Sequence, residues 1–230
     1  RDTDRSRGLG DVYKRQTLTA YNGPKNVANA LLYSDNIFFA QTALQIGKEQ
    51  LTENLKNIGF GESLDFPLTL AQSQYSSSED GQISTEIKLA DTGYGQGDLL
   101  VNPIHMASIY SSFANGGNMV KPYIEYNEGK AEYYKQNVFT QQAAETVKND
   151  LIQVVENPSG TAHDMQIQGL TIAGKTGTAE LKTSSEDTES GTLGWFNCFT
   201  VGRSQGDLLM VGMVENTQNN ADGGSHYIIS

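Results

Sequence analysis

The stretch Ile172-Ala173-Gly174-Lys175-Thr176-Gly177-Thr178-Ala179-Glu180-Leu181 constrains this chain more than any other. It opens with β-branched and small apolar residues and closes on Glu-Leu, so it reads as a strand with Lys-Thr-Gly-Thr in its middle. Polar and glycine residues there sacrifice strand propensity and packing. An anion is the simplest reason: the ammonium brings charge, the two hydroxyls bring donors, and the glycines admit a ligand close to the backbone.

Two chemistries fit those residues. Gly169-Leu170-Thr171-Ile172-Ala173-Gly174-Lys175-Thr176 satisfies the P-loop pattern G-x-x-x-x-G-K-[ST], which would make the chain a nucleotide-binding protein. A P-loop needs a buried strand before the first glycine and a helix whose N-terminus receives phosphate after the lysine. Asp164 to Gln168 is too polar for that strand, Leu170 to Ala173 is β-like, and a polar run from Lys182 to Gly191 without helical periodicity follows. Leu208 to Glu215 imitates the apolar strand and acid of a nucleotide site, so nucleotide binding stays as a remote alternative. The second chemistry pairs Lys175-Thr176-Gly177 with Ser34-Asp35-Asn36, two of the three signatures of serine acyl-transfer sites of the S-x-x-K, S-D-N, K-T-G kind. No serine of the chain has a lysine three residues on. The nearest imitation, Thr85-Glu86-Ile87-Lys88, begins with the wrong residue type, and no apolar helix is expected after it.

The net charge of -11 argues against nucleic acid and anionic membrane surfaces as partners. Three scattered histidines and a single cysteine, Cys198, offer no zinc spacing, and Cys198 within Leu193 to Val201 reads as a core thiol of a strand. No apolar run is long enough to span a membrane. Arg1 to Gln16 has neither helical nor strand periodicity and reads as a non-native or frayed leader, set aside from fold reasoning.

From Pro24 the pattern is helical through Val27, Ala30 and Leu31; it pauses at Tyr33-Ser34-Asp35-Asn36 and restarts through Ile37, Phe38, Ala40 and Leu44 to Gly47. Ser34-Asp35-Asn36 thus sits between two apolar helices, where a Ser or Asp would serve as an N-cap whatever else it did. Leu51, Leu55 and Ile58 mark another helix closed by Gly59, and Gly61 to Gly81 reads as loop. Gly93-Tyr94-Gly95-Gln96-Gly97 suits a tight loop or a close approach to a ligand. Helices are expected from Pro103, with Met106, Ile109, Tyr110 and Phe113 as its core stripe, and after Thr140, with Ala144, Val147, Leu151 and Val154 on one face. The runs Leu170–Leu181, Leu193–Val201 and Leu208–Val214 read as antiparallel strands, one joined to the next by the acidic Ser184 to Ser190 loop. The expected class is α+β: helices, then an antiparallel sheet whose Lys-Thr-Gly strand faces them, with the Ser-Asp-Asn junction across a cleft.

With Asp91 to Gly97, Asn102-Pro103-Ile104-His105-Met106 and Gly194-Trp195-Phe196 added, five segments in order resemble the transpeptidase domain of class B penicillin-binding proteins. The wording Ser34-Asp35-Asn36-Ile37-Phe38-Phe39-Ala40 is most similar to their low-affinity Gram-positive branch. The resemblance runs from about Leu31 onward and implies a D,D-transpeptidase. In that chemistry a serine attacks the penultimate D-alanine carbonyl of a peptidoglycan stem peptide, D-alanine leaves, and an amine resolves the acyl-enzyme. Carried over by motif, Ser34 relays a proton to the leaving amine, Asn36 hydrogen-bonds the substrate amide, and Lys175 holds positive charge over the site. Thr176 and Thr178 take the terminal carboxylate, the Thr178 N–H is an oxyanion donor, and Gly177, Gln96 and Glu180 line the substrate. The resemblance implies no cofactor, stem peptides and β-lactams as ligands, other cell-wall synthesis proteins as partners, and placement outside a cytoplasmic membrane by an anchor outside this chain. A β-lactam-sensing receptor domain shares the same motifs and is the alternative. Residues 17–230 are expected to form a partial transpeptidase domain without the S-x-x-K segment and without a final helix after His226-Tyr227-Ile228-Ile229-Ser230, hence inactive alone and marginally stable.

Overall fold

In the computed structural model, residues 21, 23–125, 131–181 and 191–217 are described. The Arg1 to Gln16 leader, the Ser184 to Ser190 loop and the His226 to Ser230 end lie outside them. The chain divides into two units, one up to Asn102 and one from Pro103.

The first unit is helical. Helix α1 (Val27–Leu32) is capped by Asn26, whose side chain accepts from the Asn29 N–H. Helix α2 (Asn36–Ile46) is capped by Asp35 and stops at Gly47, where φ of +82° suits glycine and turns the chain into α3 (Lys48–Asn57). No apolar helix is expected after Thr85; a helix of mixed polarity stands there, α4 (Glu86–Gly93), capped by Thr85, which accepts from the Lys88 N–H. That helix is short and has only Leu89, Ala90 and Thr92 buried, too brief a stripe to stand out by periodicity. It packs on α2 through Ala40 and Ala90, with Ile37, Leu44 and Tyr94 around them. Gly93 permits the closeness, since a Cβ there would lie 2.6 Å from the Phe39 carbonyl oxygen and 2.7 Å from the Ala43 Cβ. The Gly61 to Gly81 stretch is loop as expected, tied down by a bridge between Gln74 and Leu100.

The second unit begins with α5 (Pro103–Ala114), whose Pro is at the first helical position. A small sheet of β1 (Met119–Val120) and β2 (Tyr133–Lys135) follows, too short to leave an alternation in the sequence. Helix α6 (Gln141–Glu156) is capped by Thr140 and buries Ala144, Leu151, Val154 and Val155. The strands β3 (Thr171–Glu180), β4 (Thr192–Val201) and β5 (Leu209–Val214) form an antiparallel sheet in the order β3-β4-β5. Helix α6 packs along β3. Leu151, Ala173 and Phe199 form the buried centre, with Tyr110, Phe113, Val147, Ile152, Val201 and Leu209 packed on it. At about 25 cal/mol per Å² of apolar surface, these contacts, drawn from distant parts of the chain, are what hold α5 and α6 to the sheet.

Candidate functional site

Ser34, Asn36 and Gln96 belong to the first unit; Lys175, Thr176, Gly177, Thr178 and Glu180 belong to the second.

The junction between α1 and α2 is held by local hydrogen bonds. The Ser34 N–H donates to the Leu31 carbonyl at 3.3 Å and the Asp35 N–H to that of Ala30 at 2.9 Å. Asp35, 3% exposed, accepts from the Phe38 N–H at 3.1 Å, so the cap and the signature coincide in one tripeptide. The Lys25 ammonium, 3.9 Å from its carboxylate, adds a loose ion pair between an exposed lysine and the buried aspartate. Ser34 has φ of +52°, a left-handed conformation rare for a residue with a Cβ. Strain of this kind costs of order 1–3 kcal/mol and clusters at functional sites. Asn36 opens α2 and is half-buried.

Gln96 lies in a loop folded back on the end of α4, its N–H donating to the Asp91 carbonyl at 2.9 Å. Gly95 and Gly97 carry φ of +84° and +72°, so the glycines here serve backbone geometry. Asp98 fastens this loop to the rest of the unit. It accepts from Lys88 Nζ at 2.6 Å and from Ser77 Oγ at 2.8 Å. Burial would raise its carboxyl, but these bonds outweigh it and hold the group below its ordinary value.

In the second unit the Lys-Thr-Gly segment is continuous strand. Lys175 pairs with Asn197, Thr176 with Phe196, Gly177 with Trp195 and Thr178 with Gly194. This removes the P-loop reading: Gly169 to Thr176 runs into β3 without a phosphate-cradling loop, and no helix follows Lys175. Side chains alternate, so Lys175 shares a face with Ala173 and Gly177, and Thr176 shares the other with Gly174 and Thr178. Gly174 is needed for contact between strands, since a Cβ there would lie 3.0 Å from both the Cys198 Cβ and the Phe196 ring.

Lys175 is half-buried, and the packing of protein around its ammonium lowers it from 10.5 to about 8. Its Nζ donates to the Thr176 carbonyl at 3.1 Å. Thr176 Oγ1 donates to Thr161 Oγ1 at 3.0 Å, and Thr178 is exposed. Glu180 ends β3, and its side chain lies outside what is described. Among the described residues β3 pairs only with β4, which leaves an edge able to receive an extended peptide by backbone hydrogen bonding. A lysine whose charge is easily given up, two hydroxyls and an open strand edge form an anion- and peptide-binding surface. A groove of about 630 Å³ between the end of α6 and the start of β3 is lined by Val155, Ile167, Leu170 and Ile172, none of them a site residue.

Sequence reading missed Thr161, Tyr110 and Asn197 as neighbours of the Lys-Thr-Gly strand. Asn197 carried a visible signal, an amide in the middle of the apolar run Leu193 to Val201, whereas only the fold brings Thr161 to Thr176. Cys198 is buried as expected, and burial raises its thiol to about 11, far from a reactive thiolate. Among the described residues no cluster of His, Cys, Asp and Glu could hold a metal, and no helix is long and apolar enough to cross a membrane.

A family model described as "Penicillin binding protein transpeptidase domain" matches residues 3–229. Penicillin-binding protein 3 of Bacillus subtilis is 40% identical over 205 residues, spanning 89% of this chain and 30% of that protein. The peptidoglycan D,D-transpeptidase FtsI homolog of Mesostigma viride is 29% identical over 197 residues, 74% of this chain and 32% of that protein. The chain therefore spans about a third of the length of these relatives. The D,D-transpeptidase domain of a peptidoglycan glycosyltransferase from Eggerthella lenta superposes with a TM-score of 0.71 at 24% identity, covering 91% of this chain and 53% of that one. At that identity the likeness speaks for the fold.

Proposed function

Because the chain belongs to the penicillin-binding protein transpeptidase domain family, we propose that it forms the substrate-holding part of a peptidoglycan D,D-transpeptidase that β-lactams acylate. The observation that carries this reading is strand β3, which among the described residues pairs only with β4 and bears an ammonium lowered to about 8 and two threonine hydroxyls. In the reaction, Lys175 supplies positive charge, and the Thr176 and Thr178 hydroxyls donate to the terminal carboxylate of the stem peptide or β-lactam. The Thr178 N–H donates to the tetrahedral oxyanion, a role worth about 3–4 kcal/mol. Ser34 passes a proton to the departing D-alanine amine, Asn36 hydrogen-bonds the substrate amide, and Gly177, Gln96 and Glu180 complete the substrate contacts. The acylated serine belongs to an S-x-x-K segment, a pattern no serine of this sequence satisfies.

The wording of Ser34 to Ala40 supports the finer assignment to the low-affinity branch. On the same reading the longer protein works outside the cytoplasmic membrane, held by an anchor, among other cell-wall synthesis proteins, and residues 17–230 are part of its catalytic domain. The names of the relatives support turnover over sensing.

Fluorescent penicillin labelling of the full-length protein tests the proposal. Stoichiometric acylation is expected, falling by ~10²–10⁴-fold in Ser34→Ala as expected for loss of a proton-transfer group. The 230-residue chain by itself is expected to stay unlabelled. Absence of labelling in the full-length protein would overturn the reading, and half-labelling at low β-lactam concentration would overturn the low-affinity assignment. A labelled protein that never releases D-alanine from stem peptides would be a sensor.

A further inference from the structure

Asn197 is the one feature of the Lys-Thr-Gly face for which packing gives no reason. It sits in the middle of β4, 5% exposed, in a run otherwise of apolar and small residues. A branched aliphatic residue would fill that place without a polar atom to satisfy. Its amide hydrogen-bonds the phenol of Tyr110 on α5, a group that burial raises to about 12 and that this bond pulls back. Its Oδ1 is buried and has no partner. Buried carbonyl oxygens are paired in the great majority of cases, and an orphan calls for an explanation.

The register supplies one. Asn197 is directly opposite Lys175 on the neighbouring antiparallel strand. Residues so paired have Cβ atoms about 4.5–5.5 Å apart on the same face, within the reach of a lysine stem. We propose that Asn197 is the positioning residue for Lys175: its Oδ1 is a second acceptor for the Lys175 ammonium, which exchanges between it and the Thr176 carbonyl and, on the amide, is held ready for a ligand carboxylate. The Tyr110 phenol holds the other end of the amide, which limits its freedom. A carboxylate in that place would neutralise the ammonium and compete with the carboxylate of the ligand; a carboxamide stabilises the charged lysine and leaves its charge available. On the packed elements the titratable groups are His105 and the Tyr110 phenol of α5, the Cys198 thiol of β4, and Glu145, Lys148, Asp150 and Glu156 of α6. Burial lowers Lys175, and a hydrogen bond accepted by the amide opposes that burial by favouring the charged form. This rests on the role of Lys175 proposed above, but its test does not.

Lysine side-chain NMR of the full-length protein, with Lys175→Arg for assignment, follows the titration of Lys175 directly. Asn197→Leu is expected to move its midpoint down by about one pH unit, a tenfold drop in the ratio of charged to neutral lysine at a given pH. Asn197→Asp, which keeps the shape, is expected to move it up, because an opposite charge favours the ammonium. In the full-length protein the alkaline limb of the acylation rate against pH is expected to move in the same two directions. A folded Asn197→Leu and a folded Asn197→Asp that both leave the midpoint in place would overturn the proposal. Shifted midpoints in a protein that penicillin never acylates would uphold the role of Asn197 and overturn the transpeptidase reading.

Discussion

Ser34-Asp35-Asn36 and Lys175-Thr176-Gly177 are both polar interruptions of apolar runs, yet they are built in opposite ways. The first draws on neighbours in sequence: its backbone N–H groups reach back to Ala30 and Leu31, and the Asp35 carboxylate accepts from the Phe38 N–H. The second is fixed by distant residues, with β4 some twenty positions on setting its register, Thr161 meeting Thr176, and α6 packed along the strand. A local motif places its side chains even if the rest of the unit loosens, whereas a strand motif is only as well formed as its sheet. The chemistry follows the same division. Ser34 carries backbone strain from its own turn, and Lys175 has a lowered pKa that only tertiary burial produces.

The largest expected effect separates the two segments by what they lose. Lys175→Met in the full-length protein is expected to cut penicillin acylation by roughly 10²–10³-fold. The same change should leave urea stability equal or higher, because a buried charge is replaced by an apolar chain of similar length. A large loss of stability would mean that the lysine holds the sheet together, and the comparison would break.

Gly174→Ala should cost about 1–3 kcal/mol in urea unfolding, since its Cβ would press on Cys198 and Phe196 across the sheet. Asp35→Ala should cost only about 1 kcal/mol, the value of a helix cap. Reversal of that order would show the Ser-Asp-Asn junction to be the less local of the two.

A smaller effect concerns pH. Lys175 titrates near 8 when folded against 10.5 as a free side chain, so between these values the unfolded chain binds more protons and stability should rise with pH. Lys175→Met should abolish that rise, and a slope that survives the substitution would assign it to another group. Smallest of all, Cys198 should react with thiol reagents at pH 8 only as fast as the chain opens, because burial both shields it and raises its pKa to about 11.

Much of this was legible in the sequence for physical reasons. Caps at Asp35 and Thr140, the stop at Gly47 and the apolar runs of the sheet are short-range signals that each segment carries whole. Helix α4 escaped because eight residues give barely two turns of pattern. The β1–β2 pair escaped because strands of two and three residues have no period to read. The P-loop match shows the opposite failure, since G-x-x-x-x-G-K-T fixes letters but not backbone, and the pairing of β3 with β4 makes it strand.

The sequence by itself determined the class of the fold, the order of its longer helices and strands, and the residue types offered to an anion, because propensity, capping and hydrophobic period act over a few residues. Only the tertiary structure decided that Lys175 is partly desolvated, that Thr161 meets Thr176, and that a buried amide stands opposite the lysine. Those properties depend on which distant side chains remove water from a given atom, and desolvation is a sum over the whole packed environment that no local pattern encodes.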